Sequence, residues 1–404
     1  MGGMILLAAG PVGAEWKRHT IDRSSKGADG VRKMDVNGDG HLDITTGWEE
    51  GGIIRVYVNP GPKKSKAEWP AVTVGKVASP EDAVFADLDG DGAVDVVSSC
   101  EGGNRTTYVH WAPREAKDYL KPAEWKTEAI PATAKKQSWM YALPLEIDGK
   151  HGIDLVLGSK GGNGSVGWLQ APKDPRVVTD WKFHRLYDAG WIRSIEALDV
   201  DGDGDQDVVL SDRQGRTGVK WLENPGTEIA AKGERWKEHL IGSERKEVMF
   251  LCIADLDGDG RKDIVATNRN RHVEWFRRGE GAEVAWEAHS FALPFGLPFG
   301  KAVAVGDIDL DGKREVVTTN RGREPARCVA WQKFMESPTE QKWTDHDIGG
   351  TTGAKFDLIE LIDLLHPHQP RPTGDQRRRG QKSDFLAIAI SDFLAITRPE
   401  KGIS

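Results

Sequence analysis

The sequence lacks the features that define several broad classes of protein. No stretch approaches the ~18 consecutive apolar residues of a membrane-spanning helix, so we predict no membrane span. The 404 residues include only three cysteines, Cys100, Cys252 and Cys328, which are scattered without metal-ligand spacing. An odd, scattered set favours buried free thiols over a disulfide framework. With 38% hydrophobic and 29% charged residues, the composition is that of a folded, soluble protein.

The sequence also lacks the residue patterns of common catalytic sites. It contains no Ser/His/Asp order, phosphate-binding loop or zinc-ligand spacing. Five histidines each lie three residues after a tryptophan, in segments that recur along the chain: His19, His184, His239, His289 and His346. A residue that recurs in this way belongs to repeated architecture, so we predict no catalytic role for them. The absence of a unique catalytic constellation favours a protein that is not an enzyme.

A repeated acidic loop is what the sequence has in excess. Residues 255–263 read DLDGDGRKD, a weaker copy occupies 146–154, and another begins at Asp363 and fails at once. Four close copies lie at 35–43, 87–95, 199–207 and 307–315. Successive copies start 52 to 59 residues apart. Self-similarity at a period near 50 residues indicates a solenoid, a propeller or an array of units.

Each unit of the repeat contains four predicted strands. Short β-branched runs flank each acidic loop, a third strand ends near an aromatic residue, and a fourth begins with tryptophan. The chain opens on a fourth-type strand, EWKRHTI (15–21), and its last unit offers a first strand, KFDLIELID (355–363), with no fourth strand after it. We therefore predict an all-β fold, a seven-bladed β-propeller of four-stranded antiparallel blades in which the N-terminal strand closes the last blade.

These loops between the first two strands of each unit resemble the FG-GAP/VCBS repeats of integrin α-subunit propellers and of many bacterial secreted proteins. The best match is FGKAVAVGDIDLDGKREVV (299–317), with its Phe299-Gly300 pair. The resemblance covers residues 15–363, and the GAP element of the signature is missing throughout. The resemblance implies a calcium-binding β-propeller of the bacterial secreted branch.

The two ends of the chain depart from the repeat. Residues 1–14 contain an apolar run and end in VGA, which is typical of the end of a secretory signal, so we interpret them as a truncated or atypical signal segment. Residues 364–404 lose the repeat register and contain the duplication SDFLAI. We interpret this tail as degenerate or frame-shifted. The alternative is that the duplicated segment supplies the missing inner strands of blade seven.

The acidic loops have the chemistry of calcium sites. Calcium takes six to eight oxygen ligands, and each loop offers side-chain oxygens at positions 1, 3, 5 and 9, with a backbone carbonyl near position 7. Without a cation the carboxylates repel each other. We predict about five Ca²⁺ sites, with these ligands: Asp35, Asn37, Asp39, Asp43, Asp87, Asp89, Asp91, Asp95, Asp199, Asp201, Asp203, Asp207, Asp255, Asp257, Asp259, Asp263, Asp307, Asp309, Asp311 and Glu315.

The loop at 146–154 is the exception, because Lys150 occupies position 5 and can satisfy Glu146 and Asp148 in place of an ion. Five bound ions would change the formal net charge from −8 to +2. Extracellular modules often bind calcium at ~10⁻⁴ M, so ~1 mM calcium would act as a structural staple. Calcium dependence and the signal-like segment together favour an extracellular or periplasmic location.

The face opposite the acidic loops gathers arginines from three successive turns, SDRQGR (211–216), NRNRH (268–272) and NRGREPAR (320–327). Paired arginines suit carboxylate or sulfate groups, and nearby tryptophans could stack on sugar rings. The candidate ligand-binding residues are Trp139, Tyr141, Trp191, Arg193, Arg213, Arg216, Arg269, Arg271, Arg321 and Arg323. The simpler interpretation is that these turns are solvated tips.

Two functions are compatible with these features. We predict a non-enzymatic binding module whose ligand is a partner protein or an anionic glycan. The alternative is a propeller-type polysaccharide lyase, in which the arginines neutralise a uronate and Tyr141 moves a proton. An EF-hand-like calcium sensor is disfavoured because no paired helices flank the loops. Nucleic-acid binding is not predicted, since the arginines are confined to one arc and acidic residues face them.

Overall fold

The regular secondary structure of the described residues is almost entirely β-strand. The computed structural model describes residues 16–281, 284–320, 328–340, 342–349, 358–363, 385–389 and 394–397, with only the backbone described for residue 363 and the last two ranges. The helices in these ranges are one α-helical turn, α1 (Thr227–Ala230), and four 3-10 turns at Ala116–Asp118, Pro122–Glu124, Val178–Asp180 and Pro338–Glu340. None of the helices in these ranges could cross a membrane.

Six four-stranded antiparallel sheets follow one another along the chain. Strand β1 (Lys17–Thr20) precedes them. The first sheet contains β2 (Ala28–Met34), β3 (Asp43–Trp48), β4 (Ile53–Tyr57) and β5 (Ala71–Lys76). The second contains β6 (Pro80–Ala86), β7 (Asp95–Cys100), β8 (Thr107–Trp111) and β9 (Lys126–Ala129). The third contains β10 (Ser138–Leu145), β11 (Asp154–Lys160), β12 (Ser165–Gln170) and β13 (Lys182–Asp188).

The next three sheets repeat the same order. The fourth contains β14 (Ile192–Leu198), β15 (Asp207–Asp212), β16 (Gly218–Glu223) and β17 (Lys237–Gly242). The fifth contains β18 (Val248–Ala254), β19 (Asp263–Asn268), β20 (His272–Arg278) and β21 (Trp286–Ala292). The sixth contains β22 (Gly300–Gly306), β23 (Glu315–Asn320), β24 (Val329–Phe334) and β25 (Trp343–Gly349). The predicted four strands per unit are therefore confirmed.

Further strand pairs join the two ends of the chain. β26 (Ile359–Asp363) pairs with β27 (Phe385–Ala389), β27 pairs with β28 (Leu394–Thr397), and β28 pairs with β1, all antiparallel. The first strands of successive sheets also contact each other, from β2 through β6, β10, β14, β18 and β22 to β26, which contacts β2 again. Because each sheet is antiparallel, the acidic loops lie at one end of every sheet and the turns between second and third strands lie at the other.

The core between the sheets contains a repeated pair of stacked rings. A third-strand tryptophan and a fourth-strand histidine lie opposite each other in the antiparallel register, as at Trp221 and His239. Their ring centroids are 4.0 to 4.9 Å apart in Trp168–His184, Trp221–His239, Trp275–His289 and Trp331–His346. The prediction that these four histidines belong to repeated architecture is confirmed. Cys100, Cys252 and Cys328 are free thiols, as predicted, with Cys100 and Cys328 buried and Cys252 half-buried.

A β-bulge interrupts the first strand of all six sheets near its start. The pairing register shifts after Asp29, Pro80, Trp139, Ile192, Val248 and Gly300. A bulge adds a residue to one strand and re-aims its side chain. Glu81 and Arg193 occupy two of these bulges, at the end of the sheets opposite the acidic loops.

Candidate functional site

The carboxylate at position 9 ties each acidic loop to its sheet. In the loop at 199–207, buried Asp207 accepts hydrogen bonds from the Val200 and Asn224 amides, each at 2.8 Å. These amides belong to the second residue of the loop and to the end of the third strand. The same two bonds, at 2.7 to 3.2 Å, recur at Asp43, Asp95, Asp154 and Asp263. Position 9 therefore has a structural role in addition to its predicted role as a ligand.

Burial disfavours the ionised form of these carboxylates. Desolvation raises the pKa of five position-9 groups to about 7, and neighbouring loop carboxylates add to the rise while the backbone hydrogen bonds oppose it. The five groups are Asp43, Asp95, Asp154, Asp207 and Glu315. A divalent cation among the same oxygens would oppose this effect, because it stabilises the ionised form.

The glycines of the loop turn the chain around a common centre. Asp255 accepts hydrogen bonds from the amides of Gly258 at 2.8 Å and Gly260 at 3.2 Å. Their φ angles are +79° and +91°, in the left-handed region that glycine tolerates best. In the loop at 307–315 the first of these positions is Leu310, which holds φ at +63°. The repeated Gly-Asp-Gly pattern thus gathers the odd-numbered side chains on the inside of the turn.

The gathered oxygens fit a divalent cation. Asp307, Asp309, Asp311 and Glu315 each place an oxygen within 4.8 Å of the others. Three-residue sets do the same at Asp87, Asp89 and Asp95, at Asp199, Asp201 and Asp203, and at Glu146, Asp148 and Asp154. Buried oxygens of Asp87, Asp307 and Glu315 have no hydrogen-bond partner, as expected of atoms that serve as ligands. Converging hard oxygen donors of this kind suit Ca²⁺.

The remaining predicted ligands occupy equivalent loop positions. In the first loop, Asp35 accepts hydrogen bonds from the Gly38 and Gly40 amides, each at 2.8 Å. The side-chain NH₂ group of Asn37 donates a hydrogen bond to the Asp39 carboxylate at 3.1 Å. Asn37 therefore supplies a neutral oxygen in place of the position-3 carboxylate found in the other four loops.

One candidate ligand was missed from the sequence. Asp205, at position 7 of the loop at 199–207, has a buried Oδ1 without a hydrogen-bond partner. Burial, followed by repulsion from Asp203 and Asp201, raises its pKa to about 6. Position 7 was expected to contribute only a backbone carbonyl, so the signal that could have found Asp205 is its acidic side chain at that position.

The loops differ in the cations that surround them. Lys333 Nζ lies 2.6 Å from Asp309 and 2.5 Å from Asp311. Arg277 lies 2.5 Å from Asp257 and 3.0 Å from Asp259, and Arg176 forms ion pairs with Asp89 and Asp91. Within the described part of the chain, no basic side chain forms an ion pair with the carboxylates at 35–43 or 199–207. Arg278 nevertheless lies beside the loop at 199–207, where it donates a hydrogen bond to the Val200 carbonyl at 2.6 Å and interacts electrostatically with Asp199 and Asp201.

In the weaker loop, Lys150 lies 3.9 Å from Asp148, and the Gln170 side chain donates a hydrogen bond to the same carboxylate. Glu146, Asp148 and Asp154 still converge. The prediction that Lys150 replaces an ion here stays a prediction.

On the opposite face, the turn before β14 places Trp191 among basic side chains. The buried carboxylate of Asp212 accepts hydrogen bonds from the Gly190 amide at 3.0 Å and the Trp191 amide at 2.8 Å. A Cβ at residue 190 would lie 1.7 Å from the Gln214 carbonyl oxygen, so only glycine fits. The Trp191 ring centroid lies 4.4 Å from Arg213 Cζ and 4.8 Å from Lys160 Nζ.

Arg193 extends from the bulge of β14 into the same region. Its side chain is 5% exposed, and its Cζ lies 4.6 Å from the Phe250 ring centroid and 5.8 Å from that of Trp191. It also lines a cavity of about 300 Å³ formed by the first strands of several sheets. Other charged residues that line this cavity are Arg32, Lys33, Glu196 and Glu360.

The structure brings together only some of the arginines that were predicted to line this face. Glu247 accepts hydrogen bonds from Arg213 at 3.1 Å and from Arg269 at 3.0 Å. Arg216 instead forms an ion pair with Glu238, and Arg271 is exposed. Arg321 and Arg323 lie outside the described residues.

Trp139 and Tyr141 point into the core. Trp139 is fully buried, and its indole N–H donates to the Thr133 carbonyl at 3.1 Å. Tyr141 is 3% exposed and packs edge-on against Phe250 at 6.0 Å. Burial raises the pKa of Tyr141 well above its usual value. Both residues therefore pack in the core and do not line the ligand face. The alternation of side chains along a strand did not by itself predict this burial.

Acidic residues from the first two sheets border the basic region. Asp29, Glu49 and Glu81 bring carboxylate oxygens within 4.8 Å of one another. Lys160 forms ion pairs with Glu101 and, at 3.7 Å, with Glu81. The face is therefore divided. The acidic groups of the first two sheets lie near Lys160, whereas Arg193, Arg213 and Arg269 form the basic part.

Comparison with known proteins identifies the repeat and the fold. Residues 24–98 and 255–318 match the FG-GAP-like repeat family. A search of curated proteins found no match. YCF48 from Cyanidioschyzon merolae is 10% identical with a TM-score of 0.55, covering 95% of this chain and 98% of that one.

Two further solved structures have the same fold. The β-propeller domain of Cps50 (Swd1) from Myceliophteria thermophila is 11% identical with a TM-score of 0.52, covering 94% of this chain and 99% of that one. BBS1N, solved in complex with ARL6DN, is 9% identical with a TM-score of 0.52, covering 97% of this chain and 99% of that one. At these identities the likeness establishes the fold alone.

Proposed function

Because this chain is a β-propeller that contains FG-GAP-like repeats, we propose that it is a calcium-stabilised, extracytoplasmic interaction module without catalytic activity. Its acidic loops hold calcium at one end of the sheets, and its opposite face binds a partner protein or an anionic glycan. The observation that carries this proposal is the convergence of carboxylate oxygens in successive loops of the same repeat.

We propose that the propeller has seven blades and that β1 closes the last one. The antiparallel pairing of β1 with β28 and the contacts of β26 with both β22 and β2 support this closure. Residues 15–363 then form most of the propeller, and part of the tail at 364–404 completes blade seven. Closure of this kind leaves no exposed edge at which blades could separate or chains could associate.

Calcium in this proposal acts on stability rather than as a signal. About five sites, each with a dissociation constant of ~10⁻⁴ M, would add roughly 7 kcal/mol at ~1 mM calcium, which is comparable to the whole stability of a typical domain. Such dependence suits a secreted or periplasmic protein, where calcium is plentiful. The loops at 35–43 and 199–207, whose carboxylates form no ion pair among the described residues, should bind most tightly.

Two observations support a ligand on the opposite face. The basic region around Trp191 offers guanidinium groups for carboxylate or sulfate, which favours an anionic glycan. The neighbouring fold of BBS1N was solved in complex with another protein, which is consistent with a protein partner. The turns on this face also differ in sequence from one sheet to the next.

Calorimetric titration of calcium into chelator-treated protein tests the central part of the proposal. We expect about five equivalents to bind, and the variants Asp35→Ala and Asp199→Ala, which each remove the position-1 ligand, should each remove one. A protein that binds no calcium at millimolar concentration would contradict the proposal.

The lyase alternative has less support from the site. Tyr141, its predicted proton carrier, is buried, and burial raises its pKa. Incubation with a panel of uronate polysaccharides separates the two functions. Unsaturated product, detected by its ultraviolet absorbance, would establish the lyase and overturn the binding role.

A further inference from the structure

We propose that Arg193 anchors the carboxylate of an acidic sugar at the mouth of the central cavity. The inference rests on the proposed function, because it names the ligand of the same face. The cavity holds about 300 Å³ and is lined by residues of β2, β14, β18, β22 and β26. Its volume is at the lower end of the range for small-molecule sites.

Arg193 is a buried charge without a counter-ion. It is 5% exposed, its Nε is buried without an acceptor, and it forms no ion pair or hydrogen bond within the described part of the chain. The other basic residues of the cavity are paired, Arg32 with Asp82 at 3.3 Å and Lys33 with Glu360 at 2.6 Å. A buried charge is costly unless it is paired, and the ring contacts with Phe250 and Trp191 compensate only part of that cost.

A second unsatisfied donor lies beside Arg193. The indole Nε1 of Trp191 is buried and has no hydrogen-bond partner. Arg213, whose Cζ lies 4.4 Å from the same ring, adds positive charge. One carboxylate offers two acceptor oxygens in a plane that matches a guanidinium group. A carboxylate in the cavity can therefore accept from the orphaned Nε–H of Arg193 and neutralise its charge.

The surrounding acidic groups determine what carries this carboxylate. Glu247 lies beside Arg213, and Asp29, Glu49, Glu81 and Glu101 border the region on its other side. These groups would repel an acidic peptide that carries several carboxylates, but they accept hydrogen bonds from hydroxyl groups. A single carboxylate flanked by hydroxyls, as in a uronate sugar, matches this mixture of donors and acceptors.

Titration of glucuronate and glucose into the calcium-loaded protein tests the inference. The two sugars differ by one carboxylate, so we expect glucuronate to bind about tenfold or more tightly, in line with a charged hydrogen bond. Arg193→Met should abolish this preference while it leaves the thermal unfolding temperature of the sugar-free protein unchanged or higher, because it removes an unpaired buried charge. Equal binding of both sugars, or normal glucuronate binding by Arg193→Met, would overturn the inference.

Matched variants keep the test specific. Arg216→Met removes an arginine of the same face that is already paired with Glu238, so the preference should persist. Arg193→Lys keeps the positive charge but loses the planar guanidinium group, so it should bind glucuronate more weakly. This variant tests the inference even if Arg193→Met does not fold. Tighter binding of an acidic peptide than of glucuronate would also overturn the assignment. If calcium stabilises the protein but glucuronate does not bind to it, this inference is wrong and the proposal of a calcium-stabilised module is unaffected.

Discussion

The loops at 199–207 and 307–315 share a sequence pattern but differ in their electrostatics. Both turn through Gly-Asp-Gly or its Leu variant, and both bury the acid at position 9. Within the described residues the carboxylates at 199–207 form no ion pair, although Arg278 interacts with Asp199 and Asp201 at longer range, whereas Lys333 lies 2.6 Å from Asp309 and 2.5 Å from Asp311. Repeated copies of a loop are therefore not equal as ion sites, because a lysine side chain can neutralise the carboxylates in place of a bound cation.

One position outside the loop explains much of this difference. Two residues after the third-strand tryptophan, the fourth sheet has Glu223, the fifth has Arg277 and the sixth has Lys333. Arg277 and Lys333 reach into their own loops, while Glu223 pairs with Lys237 and His239 instead. We infer that this position sets how strongly each loop depends on calcium.

The largest expected effect is a pH dependence that all loops share. Asp43, Asp95, Asp154, Asp207 and Glu315 have their pKa raised to about 7 in the fold, against about 4 in the unfolded chain. Between those values the folded state binds more protons, so in chelator the free energy of unfolding should fall as pH rises from 5 to about 7. Calcium should flatten this trend. Urea unfolding at several pH values measures both slopes, and parallel slopes would contradict the assignment.

Loss of a position-9 carboxylate should be the most damaging single change. Asp207→Ala leaves the buried Val200 and Asn224 amides without an acceptor, which should lower the free energy of unfolding by about 2 to 4 kcal/mol. The loss should occur in chelator as well as in calcium, because the bonds are structural. Urea unfolding of Asp207→Ala beside the milder Asp207→Asn checks this. A variant that is destabilised only in calcium would show that position 9 is a ligand and nothing more.

A change at position 3 should separate the two loops. Asp201→Ala removes a ligand from a loop whose carboxylates form no ion pair within the described residues, so it should lose roughly 1.4 kcal/mol of stability in ~1 mM calcium and little in chelator. Asp309→Ala, the matched change beside Lys333, should lose less in calcium. Chemical unfolding of both variants with and without calcium tests the comparison, which equal losses would refute.

The smallest effect should come from exchanging the third-strand residue. Lys333→Met removes the internal cation and should increase the calcium-dependent part of the stability by about 1 kcal/mol, while Glu223→Lys should reduce it by a similar amount. Opposite changes in calcium affinity, measured by calorimetry, would support the role of this position. Unchanged calcium affinity in both variants would show that this residue does not cause the difference between the loops.

Much of the architecture could be predicted from local patterns. The period of the acidic loops and the tryptophan that begins each fourth strand predicted four strands per unit, and six consecutive sheets have that form. The recurrence of histidine three residues after that tryptophan also predicted a structural role, and four of these histidines stack on third-strand tryptophans, because residues opposite each other in antiparallel strands share a face. These features depend on short segments and on pairing between neighbours in sequence.

The opposite face was less predictable, because bulges and ion pairs depend on contacts between sheets. The sequence pointed to Trp191, Arg193 and Arg213, but it gave no sign that the bulge in β14 buries Arg193 without a counter-ion. It also placed Trp139 and Tyr141 at a surface, although both pack into the core. Glu247, which pairs with Arg213 and Arg269, comes from a different turn and had no local signal.

Thermal unfolding of the intact protein in excess chelator and again in millimolar calcium tests the central claim most directly. If the loops hold the sheets together through bound calcium, the unfolding temperature should rise strongly with calcium and the gain should shrink in Asp201→Ala. Coincident unfolding curves in the two conditions would mean that the loops are ordinary acidic turns, and the calcium-stabilised module would be contradicted.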